Sequence, residues 1–235
     1  MTDYAVSSQR RGRRKGGRLI ALVLVLGIAG LAGAPIAYML WPRWPDPVRL
    51  DAPSLPISVG GVVFNVPPAA IRVPMQRRPG GQPRVDLAFL WPSLTPPDPA
   101  AKSNPGSPPP TLGERVFVTI ANGDGTLPPA ERFKIIYPRY IATAPKTGPD
   151  GLTQQDFRNA TPYQGEDLIY DAAAPERFLL RCTRKAGVTP GTCLHERRIG
   201  SADITVRFQR DWLDDWRAVA SGIDRLIALL NPTKS

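Results

Sequence analysis

The sequence predicts an α+β protein: an N-terminal transmembrane helix, then a mostly antiparallel sheet packed by a C-terminal amphipathic helix. Three observations carry that expectation. Residues 19–41 run for 23 residues without a charge. Short β-branched runs recur between prolines and glycines from residue 61 to residue 209. A stripe of apolar residues at spacings of three and four closes the chain. Proline, 28 of 235 residues, argues against a compact helical bundle, because each one fixes φ and removes a backbone donor.

The apolar run comes first. At a rise of 1.5 Å per residue it reaches roughly 34 Å, enough to cross a hydrocarbon core of about 30 Å. Within lipid a lone segment satisfies its backbone only as a helix. Tyr38, Trp41 and Trp44 fall where an aromatic belt meets the head groups. Residues 1–18 carry Arg10, Arg11, Arg13, Arg14, Lys15 and Arg18 against Asp3 alone, a net +5, while only Arg43 follows closely behind the run. Positive flanks stay inside, so this basic tail is expected in the cytoplasm and the rest of the chain outside a bacterial-type inner membrane. The run exceeds the h-region of a cleaved signal peptide, and Ala32-Gly33-Ala34 leads straight into Pro35, so an uncleaved anchor is expected. Gly30-Leu31-Ala32 is the best remaining cleavage site. No cysteine ends the run, which excludes a lipoprotein. Ala29, Gly33 and Ala37, with Gly30 and Ala34, have the small-residue spacing that lets two helices approach, so a homodimer through this segment is an expectation.

Half of the formal charge of +10 therefore sits in the first eighteen residues. The pI near 10 is not a nucleic-acid footprint spread over the chain, and no nucleic-acid partner is expected.

Beyond the anchor, residues 42–56 hold five prolines and read as a stiff spacer. Residues 57–233 read as one exported domain, interrupted at 92–110 by an irregular loop with eight prolines. Residues 61–66, 85–90 and 115–120 have strand composition, and Asn122-Gly123-Asp124-Gly125 is a turn signal. A short helix is expected over 128–137, with Pro128 and Pro129 at its start. Residues 138–165 carry no clear pattern. Residues 177–182 and 193–198 flank ten residues with Gly187, Pro190 and Gly191, as in a long-looped hairpin. In 203–209, Ile204, Val206 and Phe208 alternate with Thr205, Arg207 and Gln209, the pattern of a half-buried strand. Asp211 then reads as an N-cap. Leu213, Trp216, Ala220, Ile223, Ile227 and Leu230 form the helical stripe, stopped by Asn231-Pro232.

The chemistry is mostly a set of exclusions. Cys182 and Cys193 lie outside the membrane on this topology, where disulfides persist, and at the loop-side ends of two candidate strands. A structural disulfide is expected, worth roughly 3 kcal/mol in the chain-entropy model. A thiol nucleophile paired with His195 is disfavoured, since residues i and i+2 of a strand stand about 7 Å apart. His195 is the single histidine, no Gly-x-Ser-x-Gly motif occurs, and a histidine-rich metal site is impossible. The segment from Asn122 fails as a calcium loop, with Leu127 where glycine and Phe133 where glutamate should stand. No phosphate-binding glycine loop is present, so neither cofactor nor metal is expected.

Two functional classes remain. Arg177, Arg181, Arg197, Arg198 and Arg207, with Arg184, Lys185 and Arg210 near them, could form an exposed basic face for an envelope protein, an anionic polymer or head groups. That predicts a membrane-anchored envelope protein, non-catalytic, that binds or scaffolds a partner; an immunity or inhibitor protein is one form of it. The alternative is an anchored hydrolase acting on envelope material through Asp167 and Asp171, which would share a face of a strand or a helix. A pocket around that pair would favour the enzyme, and a basic face without one would favour binding.

Overall fold

Alternation in residues 202–209 decides the centre of the fold. In strand β11 (Ala202–Gln209) Ile204, Val206 and Phe208 are buried while Arg207 points to solvent, as a half-buried strand requires. β11 pairs antiparallel with β10 (Thr192–Ile199) through a turn at Gly200, and on its other side with β5 (Arg115–Asn122). The computed structural model describes residues 15–40, 48–98, 114–123, 125–184 and 191–232.

From that centre an antiparallel sheet of eight strands extends in the order β4-β5-β11-β10-β9-β8-β7-β6. The added strands are β4 (Arg84–Leu90), β6 (Lys146–Thr147), β7 (Thr153–Asp156), β8 (Glu166–Tyr170) and β9 (Leu179–Thr183). A second, three-stranded sheet in the order β2-β1-β3 is built from β1 (Leu55–Val59), β2 (Val62–Val66) and β3 (Gly80–Gly81). The β1–β2 turn uses Gly60 at φ +56, where a Cβ would meet the Ser201 carbonyl oxygen at 2.7 Å. Only glycine lets this turn lie so close to the β10–β11 turn.

The C-terminal helix α3 (Trp216–Leu230) packs on the buried face of the large sheet, burying Val219, Ile223, Leu226, Ile227 and Leu230. Its expected N-cap is corrected. Residues Arg210–Asp215 form 3-10 turns, and the cap is Asp215, whose side chain accepts from the Ala218 amide. The tighter turn delivers Trp212 to stack on Trp91 at 5.2 Å and on Phe208 at 6.0 Å. Packing of two indoles thus delays the helix by one turn. Gly222 permits the same packing, since a Cβ there would meet Trp91 at 2.4 Å.

The main core lies between the two sheets and α3, from Ile57, Phe64 and Val85 to Phe208 and Leu226. A satellite core of Tyr137, Phe157, Leu168 and Leu179 forms on the opposite face of the large sheet. It is covered by the expected short helix, here a single turn α2 (Pro129–Glu131) continued by wider and tighter turns to Arg139.

Helix α1 (Lys15–Leu40) belongs to a separate compact unit, Met1–Asp46, and the sheets to the unit Pro47–Ser235. Several α1 side chains, those of 34–37 among them, lie outside the described residues. Counted over the described residues, no helix is long and apolar enough to cross a membrane. The span therefore rests on the sequence. The basic tail to residue 14, residues 42–47 of the spacer, residues 99–110 of the proline-rich loop and Lys185 also lie outside. The spacer ends earlier than its composition suggests, because Leu55 and Pro56 open β1.

Candidate functional site

The register of the large sheet decides which polar side chains meet. Cys182 and Cys193 stand directly opposite each other on β9 and β10 and form the disulfide, with Cα atoms 4.0 Å apart. His195 lies two residues on, on the same buried face, 2% exposed. Its Nδ1 pairs with the Leu179 carbonyl at 3.3 Å and its ring stacks on Phe178 at 5.8 Å. Burial, aided by the Arg197 charge, pushes its pKa down to about 4. It is a neutral core residue.

Asp167 occupies the same face, directly across from Cys182. It is 2% exposed, and its oxygens take Arg184 at 2.7 Å, Arg210 at 2.6 Å and Gln154 at 3.1 Å. A carboxylate buried this deeply needs such partners. Asp171 has left the strand and caps a turn, accepting from the Ala173 amide at 3.0 Å. The two carboxylates thus share no pocket, because β8 ends at Tyr170 before Asp171 can align.

The five arginines of the expected basic face are not brought to one place. Arg177 and Arg197 both reach Asp224 of α3, at 3.5 and 2.8 Å. Arg198, pointing to the opposite face from its neighbour Arg197, pairs with Asp203 at 2.6 Å. Arg181 bonds Glu166 at 2.9 Å and lies 3.7 Å from Glu196, which Arg132 also reaches at 3.0 Å. Burial opposes the Arg181 charge, but Tyr137, Glu166 and Glu196 raise its pKa above the ordinary value. The same burial pushes the Tyr137 hydroxyl up to about 12. Arg207 alone of the five is exposed with no acid partner among the described residues.

Arg207 leads to a site that the composition did not reveal. It stands directly opposite Phe117 of β5. Phe117 and Arg115, two residues apart on one strand, share that face. The segment after β2 folds back over the edge of the sheet, where Ile71 bridges Leu87 and the Arg72 amide donates to the Asp86 carbonyl at 2.9 Å. That strap carries the Arg72 guanidinium to 4.6 Å from the Phe117 ring. Gln82, 7% exposed, ties it down by donating to the carbonyls of Gln76 and Arg78.

Between strap and sheet lies an open groove of 580 Å³, lined by Arg72, Arg77, Arg84 and Arg115 around Ala88 and Phe117, with Asp86 and Asp98 as its acids. Asp86 is spent. It accepts from Arg84 at 2.7 Å, Thr119 at 2.9 Å and Gln76 at 3.2 Å. Burial pushes this carboxyl up, and those three donors together hold it below the usual carboxylate range. Arg77 donates to the Ile71 carbonyl. Arg115 differs from these: its Nε is buried without an acceptor, and no acid meets its guanidinium among the described residues. The Nε atoms of Arg132 and Arg181 are also without an acceptor, but both guanidinia are ion-paired through other atoms. The groove can therefore take an anion. Arg115 and Phe117 do alternate with buried Val116 and Val118 in the sequence, but nothing there announces the strap that brings Arg72.

No family model matches the chain, and no curated protein does. Two solved structures resemble it. An immunity protein of the Stenotrophomonas maltophilia type IV secretion system is 14% identical, over 79% of this chain and 98% of that one, with a TM-score of 0.53. The iron-regulated outer membrane lipoprotein of Neisseria meningitidis is 10% identical, over 70% of this chain and 84% of that one, with a TM-score of 0.38. At 14% identity the likeness to the immunity protein is one of fold.

Proposed function

We propose that the chain is a membrane-anchored envelope protein that binds a partner protein through its exported domain and carries out no catalysis itself. Residues 19–41 serve as the anchor, with the basic tail in the cytoplasm and the domain on the far side. The charge-free length and the arginines before it support this topology. So do the exposed apolar side chains described on α1, from Ile20 at 65% to Leu31 at 80%. The disulfide agrees with an oxidising compartment.

The observation that carries partner binding is the groove: Arg72 and Arg115, with no acid partner among the described residues, stand beside the Phe117 ring while Arg84 is paired with Asp86. Arginine and aromatic residues are the side chains that dominate protein interfaces. An immunity protein of a type IV secretion system shares this fold, which supports the same reading. The hydrolase alternative has no free oxygen at Asp167 to work with.

A reporter that is active only in the cytoplasm, fused after Ser235, should stay silent; activity would overturn the topology. Crosslinking in intact membranes followed by purification should retain one defined protein, and its absence would sink the partner reading.

A further inference from the structure

Resting on the partner reading, we propose that the groove between the strap and strands β4 and β5 receives an acidic segment of the partner protein. A carboxylate lies against Arg115, a second between Arg72 and Arg207, and an apolar side chain against Phe117 and Val73.

Charge sets the class of ligand. Four arginines line the groove against two acids, Asp86 and Asp98, and Asp86 is consumed by its own donors. No acid meets the Arg115 guanidinium among the described residues, and a carboxylate arriving from the groove forms a charge-assisted pair with it. Arg72 and Arg207 flank the same ring, Arg72 over its face and Arg207 across the strand pair. The stacked Arg72 has already lost part of its rotamer freedom, so it is pre-organised to bind.

Shape and apolar surface set the kind of partner. The strap is held by Gln76, Gln82 and the Arg72 amide, so the groove wall is built rather than mobile. Val73, 38% exposed, gives the groove an apolar border, and Met75, 85% exposed, follows two residues further along the strap. A lipid surface would meet a flat or convex patch and would be served by flexible lysines. A recessed, walled groove with planar arginine forks fits a protein segment that alternates acidic and apolar residues.

The test uses the full chain in neutral detergent micelles, with fluorescent oligoglutamate as the probe and oligolysine of equal length as the control. Oligoglutamate should bind and oligolysine should not. Arg115→Ala and Arg72→Ala should each weaken binding about tenfold, the loss of one charge-assisted contact. Arg177→Ala, which removes an arginine paired to Asp224, should leave binding unchanged. An equal loss with Arg177→Ala would mean that net charge alone is sensed and would overturn the site. Binding of soluble short-chain phosphatidylglycerol that depends on Arg115, with none of oligoglutamate, would assign the groove to a head group instead. In intact membranes, the photo-crosslinking change Met75→benzoylphenylalanine should capture the same protein as a general crosslinker, and Leu229→benzoylphenylalanine on α3 should not. If the general reagent retains a protein that position 75 misses, the groove proposal fails while partner binding stands. If neither retains one, the partner reading fails.

Discussion

The two halves of the large sheet handle the same residue type in opposite ways. Across β8, β9 and β10, Arg181 and Arg132 are shared out between Glu166 and Glu196 under the cover of Tyr137 and Tyr163. On the other side of that half, Asp167 gathers Arg184 and Arg210 beside the disulfide. Across β4, β5 and β11, Arg84 is paired with Asp86, while among the described residues Arg115 and Arg207 meet no acid and Arg72 lies over the Phe117 ring. One half uses its arginines in its own structure, and the other leaves Arg72, Arg115 and Arg207 available. The difference teaches that an arginine count says little until the register has paired the charges.

Breaking the sealed half should be costly. Asp167→Ala leaves Arg184 and Arg210 around a buried vacancy, a loss of about 3–5 kcal/mol by the usual cost of orphaning a buried charge. Urea unfolding monitored by circular dichroism would measure it, and a change below about 1 kcal/mol would mean that the pair is dispensable. Next comes the disulfide. Reduction, or Cys182→Ala with Cys193→Ala, should cost roughly 3 kcal/mol, with a gel shift on reduction and alkylation. Two freely reactive thiols in unreduced protein would refute the bond.

His195 adds a pH dependence to the same half. Its folded pKa of about 4 lies below the ordinary 6.5, so the fold favours the neutral ring. The stability it contributes is complete above pH 6.5 and is lost as pH falls from there towards 4. The loss should reach about 2 kcal/mol near pH 5, and His195→Phe should flatten that part of the stability profile. Gly222→Ala tests the α3 side. Helix propensity alone would give a gain of about 1 kcal/mol, but overpacking against Trp91 should turn it into a loss of about 1–2 kcal/mol. The open half should show the smallest effect. Arg115→Ala and Arg207→Ala should each move stability by less than about 0.5 kcal/mol, and a larger loss would show that these arginines are structural after all.

Much of the architecture was legible beforehand for a local reason. β2, β4, β5, β11 and α3 carry their own period, and Cys182 with Cys193 marked the hairpin ends. β7 was not legible. Thr153, Gln154, Gln155 and Asp156 have no apolar alternation, and they form a strand because β8 offers an unpaired edge. β1 was half hidden among the prolines of the spacer, though Ile57 and Val59 are fully buried. The stripe on α3 omitted Val219 and Leu226, which lie on a second three-and-four line through Ile223 and Leu230 and face the Trp91 and Trp212 stack.

What the sequence determined by itself is therefore what depends on neighbours along the chain: strand and helix periods, the turn residues, the charge-free run and the placement of two cysteines. Tertiary structure alone decided which charges meet. Arg197 and Arg198 are adjacent in the chain yet face Asp224 and Asp203 on opposite sides of a sheet. Arg72 and Arg115 are far apart in the chain yet line one groove. Ion pairing falls off within a few ångströms in water, so it is set by register and by a folded-back strap, which no local pattern encodes.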